Sequence, residues 1–196
     1  TNTWNHISYN HNLSKKILRM FVNGKLVATT DYTTLNNISS NSPTRLGYRG
    51  FDSNTYFAGR IADVKIYNKI LSPTEINNYY LSTKDRFFTD REDIRDGLIL
   101  DLDANNYDSY PGGNTWFDTS GSGTTAYMNT TIPYVRDRIN NSFLLNGTGN
   151  NYFAMGAVPN LDGYQLPATY FGWFKTAAVV NLQCLFGIYN TTSIIY

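Results

Sequence analysis

Asp101 and Asp103 are the closest carboxylate pair in any strand-like run of this chain, with one residue between them. Strand alternation puts both on one face. Two carboxylic acids facing one substrate are the minimal apparatus for splitting a glycosidic bond, one donating a proton and the other attacking or activating water. The competing reading is a solvated strand face, or carboxylates that anchor a loop by hydrogen bonds. The chain's only glutamates are Glu75 and Glu92. Glu75 falls three residues after Ser72 in Ser72-Pro73-Thr74-Glu75, a helix capping box. Glu92 falls in a densely charged stretch. No pair of carboxylates is left with catalysis as its best reading, and no enzymatic activity is expected.

The remaining reactive side chains are few. His6 and His11 are the two histidines, astride a strand end, and a metal site would need further ligands beside them. Cys184 is the single cysteine and sits in the apolar run Cys184-Leu185-Phe186, where a buried thiol is expected. Asp118 in Asp118-Thr119-Ser120-Gly121 is the one candidate ligand for calcium, against an Asx-type turn as the alternative. No other metal or cofactor is expected. Gly121-Ser122-Gly123 lacks a following Lys and helix, so it is a turn and not a phosphate loop.

One segment has the chemistry of a sugar-binding surface. Residues 105–114, Asn-Asn-Tyr-Asp-Ser-Tyr-Pro-Gly-Gly-Asn, combine aromatic rings with amides and a carboxylate. Rings stack on the apolar faces of sugars, and Asn and Asp bond their hydroxyls. The candidate carbohydrate-binding residues are Tyr107, Asp108, Tyr110, Asn114 and Trp116. The alternative for the two tyrosines and the tryptophan is packing of the loop on a sheet.

The elements that would carry this loop are short β-prone runs separated by Gly, Asn, Asp and Pro. Asn23-Gly24 lies between Leu18–Val22 and Lys25–Ala28, the strongest short signal for a two-residue type I′ hairpin. Ala62, Val64 and Ile66 alternate with Asp63 and Lys65, and Leu98, Leu100 and Leu102 with Ile99, Asp101 and Asp103. That pattern predicts one face on a core and one in water. Further strands are expected at 143–145, 170–174 and 184–189. The capping box predicts one short helix from Ser72 to about Tyr80. Residues 84–96 carry nine charges of mixed sign in thirteen positions and form a solvated connector between two β-rich parts, 1–83 and 97–196.

Composition narrows the partners. The chain has 196 residues, with Lys plus Arg at 16 and Asp plus Glu at 15. With no basic stripe, nucleic-acid binding is not expected. No stretch approaches the ~18 apolar residues of a membrane helix. A lone cysteine rules out an intrachain disulfide, which does not favour an ordinary eukaryotic secreted domain and is compatible with a virion protein assembled inside a cell.

Residues 1–83 resemble the closing part of a laminin-G-like domain of the concanavalin A-like lectin/glucanase superfamily. The resemblance lies in Trp4-Asn5-His6-Ile7, in Met20–Val27 with its Asn-Gly hairpin, in Leu46-Gly47-Tyr48 with Phe57–Asn68, and in Leu71–Ile76. Residues 97–196 resemble the opening part. There the motifs are Gly97–Asn105, Ser109-Tyr110-Pro111-Gly112, Thr115–Gly121, Phe143–Asn150 and Tyr170–Phe174, in a form similar to that of structural proteins of tailed phages and giant viruses. The Glu-x-Asp-x-Glu of the glucanase branch is missing, and Asn146 stands where the family commonly has Asp. The fold implied is all-β: an antiparallel two-sheet jelly-roll sandwich with one short helix.

The order, late part before early part, leaves two arrangements. One is the C-terminal half of a sandwich (1–83), the connector (84–96) and the N-terminal half of the next (97–196), cut from a tandem array; the start at Thr1 and the end at Ile194-Ile195-Tyr196 fit it. The other is one circularly permuted sandwich over 1–196. The resemblance implies a structural or adhesive part of a virus particle, in a fibre, tail or capsid decoration. Its partners would be other virion subunits, as a homo-oligomer or larger assembly, and host-surface glycans. A carbohydrate-binding module of a bacterial cell-surface or secreted protein is the second reading.

Overall fold

In the computed structural model, residues 3–12, 14–31, 44–48, 56–84, 94–137, 141–159, 161, 167–176, 184–190 and 193–195 are described, with backbone alone for 188–190 and 193–195. In chain order the strands are β1 (Asn5–Asn12), β2 (Ile17–Val22), β3 (Lys25–Asp31), β4 (Thr44–Leu46) and β5 (Ala58–Tyr67). The helix α1 (Pro73–Lys84) follows, then β6 (Leu98–Asp103), β7 (Thr115–Phe117), β8 (Thr125–Met128), β9 (Tyr134–Val135), β10 (Ser142–Asn146), β11 (Phe153–Met155), β12 (Ala168–Thr176), β13 (Phe186–Asn190) and β14 (Ser193–Ile195). They make two antiparallel sheets. The larger runs β3-β2-β1-β12-β5-β10-β9, with β6 also on β5; the smaller runs β14-β13-β4-β11-β8-β7.

The two stretches expected as halves of successive sandwiches share both sheets. β12 lies between β1 and β5, and β5 pairs with β6 and β10. Strands from residues 1–83 and from residues 97–196 thus pair directly with one another in this chain. The connector at 84–96 lies mostly outside the described residues.

β5 organises the larger sheet. Its pairing with β12 slips after Ile61, so Ala62 is extra. The bulge lets Ile61 and Val64 face the same core, which strict alternation forbids. Ala62 is also where β5 changes neighbour. Residues 58–61 pair with β10 and residues 63–67 with β6. The main core fills the space between the sheets with Val64, Ile66, Leu100, Leu102, Trp116, Phe143 and Phe153.

The opposite face of the larger sheet is covered by α1, where Phe21, Tyr67, Leu71, Ile76, Tyr79 and Phe171 form a second cluster. The helix starts as its capping box dictates: Ser72 N–H donates to Glu75 Oε2 at 2.7 Å and Glu75 N–H to Ser72 Oγ at 3.2 Å. It runs to Lys84, a turn beyond the predicted end, because Tyr79 and Thr83 are anchored. The Tyr79 hydroxyl donates to Asp63, and Thr83 Oγ1 accepts from the Trp173 indole. Asn23 and Gly24, with φ of 51° and 76°, form the predicted hairpin tip. Asn23 also ties the turn to β1, its side-chain oxygen accepting from His6 N–H at 2.9 Å. A Cβ on Gly24 would sit 2.7 Å from the Asn77 side chain, so glycine serves both the turn and the helix contact.

The expectation that Asp63, Lys65, Asp101 and Asp103 face water is corrected. All are buried, Asp63 fully and Lys65 to 1% exposure. Alternation marks two chemically different faces, and here the polar one is covered as well. Burial is tolerated because the charges meet each other. Lys65 Nζ donates to Asp101 and lies 3.5 Å from Asp63, and Arg95 lies 3.6 Å from Asp101.

His6 shares this layer. Its ring is fully buried among Tyr79, Tyr80, Phe171 and Trp173, and neither nitrogen has a hydrogen-bond partner among the described residues. Burial pulls its pKa from 6.5 to about 4, against the opposing attraction of Asp63. The folded chain therefore excludes a proton that the unfolded chain accepts, so stability falls as pH drops below the unfolded value and levels off below the folded one. Chemical denaturation should show about 2 kcal/mol less stability near pH 5 than near pH 7 from this residue. His6→Phe should flatten that slope; an unchanged slope would show that the ring does not carry it.

Candidate functional site

The gap between β6 and β10 on β5 holds the candidate site. β6 ends at Asp103, and the chain leaves through Ala104, whose N–H donates to the carbonyl of bulge residue Ala62 at 2.8 Å. Asp103 Oδ1 accepts from the Asn105 backbone and side chain at 2.9 and 3.2 Å. The next turns are closed from within: Asn106 N–H reaches the Asp103 carbonyl, and Tyr110 N–H the Asn106 carbonyl. Ser109 pins the loop to its neighbour β7, bonding Phe117 O and accepting from Asp103 N–H. On the far side, Tyr134 donates to the Ala104 carbonyl, and Asn141 N–H donates to Asn105 Oδ1 at 2.8 Å.

Between these walls opens a cleft of about 270 Å³ lined by Ala104, Asn105, Asn106, Tyr107, Tyr110, Pro111, Gly112, Tyr134, Arg136 and Asn141. It brings together rings, amides and a guanidinium. Tyr107 is the most exposed large hydrophobic side chain among the described residues, at 76%. Tyr110 and Tyr134 pack with ring centres 4.6 Å apart, both against Phe143, so one edge of each is held in the core. Desolvation raises the pKa of both phenols, and the charge of Arg136 acts in the opposite direction. Both stay neutral at ordinary pH and present hydroxyls as donors and acceptors.

Of the five sequence candidates, Tyr107 and Tyr110 line the cleft. Asp108 and Asn114 are exposed on the same loop but outside the lining. Trp116 is corrected. It is fully buried against Phe143 and Phe153 and cannot meet a ligand, because β7 turns it into the space between the sheets. Asp118, the calcium candidate, makes the Asx-type turn. Its Oδ1 accepts from Asp101 N–H and Ser120 N–H, its Oδ2 from the Ser120 and Ser122 hydroxyls. These bonds give the carboxylate a structural task, joining β6 to the loop after β7. Among the described residues no group of three or more His, Cys, Asp or Glu could hold a metal ion.

Sequence reasoning missed Tyr134, Arg136 and Asn141. They stand some thirty residues beyond the aromatic loop, in a stretch with no strand alternation. Asn105 and Asn106 lie within the aromatic loop but are not among the five candidates; an Asn-Asn pair directly after a strand is the signal that marks them. Cys184 is buried, as expected, its thiol donating to the Phe186 carbonyl at 2.8 Å.

Residues 1–77 match a laminin-G family model of the concanavalin A-like lectin/glucanases superfamily. No curated protein and no solved structure matches the chain. The matched part holds β1 to β5 and the start of α1. Among the described residues, two antiparallel sheets with one helix, continued by the strands of residues 98–195, are consistent with a concanavalin A-like sandwich, a fold that fits a carbohydrate-binding or adhesive role.

Proposed function

We propose that this chain is a non-enzymatic adhesive module that binds glycans in the cleft between Tyr107, Tyr110 and Arg136. One observation carries the reading: an exposed ring and two half-buried rings stand beside Asn105, Asn106 and Asn141 in a single open cleft. Sugars need this combination, an aromatic face for their C–H surface and amides for their hydroxyls. The volume is just below the ~300 Å³ at which small-molecule pockets begin, which suits one sugar residue of a longer chain. Binding without hydrolysis is the simpler reading, because Asp101 is held by Lys65 and Asp103 by Asn105.

The setting we propose is the surface of a virus particle, in a fibre, tail or capsid decoration. Its support is the similarity of Gly97–Asn105 and Thr115–Gly121 to structural proteins of phages and giant viruses. Peptides of this chain in purified particles would bear it out. Their confinement to a bacterial cell-surface or secreted fraction would favour the carbohydrate-binding module instead.

The binding claim is tested on an array of oligosaccharides. Tyr107→Ala should lower binding on the order of tenfold, as loss of an aromatic platform does, with no change in melting temperature, because the ring is exposed. An array on which the wild-type chain binds nothing, or a variant that binds as well as wild type, would refute the site.

A further inference from the structure

The cleft has a charge character that neutral sugars do not require. Among the described residues Arg136 is the only charged one in its lining, and no carboxylate is among the other nine. The nearest acidic residues in sequence serve elsewhere or stand outside: Asp103 accepts from Asn105, and Asp108 and Asp137 do not line the cleft. The guanidinium lies 5.9 Å from the centre of the Tyr134 ring and forms no salt bridge among the described residues. Its charge also reaches Tyr110 across the cleft, where it opposes the rise in the phenol's pKa. A guanidinium stacked on an aromatic face has its planar orientation set while its N–H edge stays open.

From this geometry we infer that the cleft selects a sugar bearing a carboxylate, a hexuronate or a sialic acid, with Arg136 as the group that recognises it. The inference rests on the glycan-binding reading above and names its ligand class. The planar fork of arginine matches the two oxygens of a carboxylate and makes two parallel charge-assisted bonds. Tyr107 and Tyr110 would meet the ring of the same sugar, and Asn105, Asn106 and Asn141 its hydroxyls. Among the described residues of the lining no acidic side chain opposes the incoming charge.

Titration calorimetry on the 196-residue chain tests this, with oligogalacturonate and sialyllactose as probes and the carboxyl-reduced form of each beside it. At least one carboxylated probe should bind on the order of tenfold more tightly than its reduced form, the worth of hydrogen bonds to a charged group. That advantage should shrink with added salt. Arg136→Ala should abolish it, bringing the carboxylated form down to the affinity of its reduced form. Arg136→Lys should restore part of it, since the charge returns without the fork. Equal affinity for both forms, or an advantage that survives Arg136→Ala, would overturn the inference and leave glycan binding standing. If no probe binds in either form, and the neutral array binds nothing, both readings fall together. Arg136 is exposed, so the variants should fold, and matching melting temperatures check that they do.

Discussion

A lysine buried between two aspartates is the constraint on which the rest of this sandwich depends. Lys65 in β5 is buried and faces Asp101 in β6 and Asp63 in its own strand. An unpaired charge at this depth would cost several kcal/mol, so the strands carrying these groups must meet in one register or pay that cost. The register that satisfies it sets Lys65 opposite Asp101, Val64 opposite Leu102 and Ile66 opposite Leu100. The same alignment thus pairs charges under the helix and packs aliphatic side chains between the sheets. Tyr79, donating to Asp63, sets the helix over the pair. The ionic layer is a specificity device more than a source of stability, since a well-packed apolar core of the same shape can be as stable.

From that register the cleft follows. Asp101 N–H is held by Asp118, which also closes the turn after β7. Asp103 is two residues further along β6, and its carboxylate builds the first turn of the aromatic loop. The bulge at Ala62 moves β5 from one neighbour to the other and leaves the gap into which Tyr107, Tyr110, Tyr134 and Arg136 project. The two carboxylates that a reading of chemistry alone marks for acid–base work are the parts that hold this loop in place. Binding chemistry is left to side chains on loops, where a rigid scaffold can present them without burying their polar atoms.

Local features were legible in the sequence because local physics decides them. Asn23-Gly24 needs positive φ whatever surrounds it, and Ser72 with Glu75 caps a helix from within one turn. What surrounds a strand face is not local. Asp63 and Lys65 alternate with apolar residues as a water-facing row would, and only the position of α1, set by Tyr79 and the Trp173–Thr83 bond, shows that the row is covered. The site was legible in part for the same reason. Tyr107 and Tyr110 belong to one loop with evident chemistry, whereas Arg136 and Asn141 reach the cleft only through the β9–β10 pairing. Trp116 was ambiguous because a tryptophan beside a glycine-rich loop serves equally as platform or as core, and the inward face of β7 decides it.

The pairing of β5 with β6 rests on the coupling between Lys65 and Asp101. A double-mutant cycle of Lys65→Met and Asp101→Asn, read by urea denaturation, measures it directly. Lys65→Met alone should cost about 3–5 kcal/mol by stranding buried carboxylates, and combining it with Asp101→Asn should recover about 2 kcal/mol or more of that loss. Effects that simply add, to within about 0.5 kcal/mol, would show that the two residues do not meet in the core and that β5 and β6 are not paired as described.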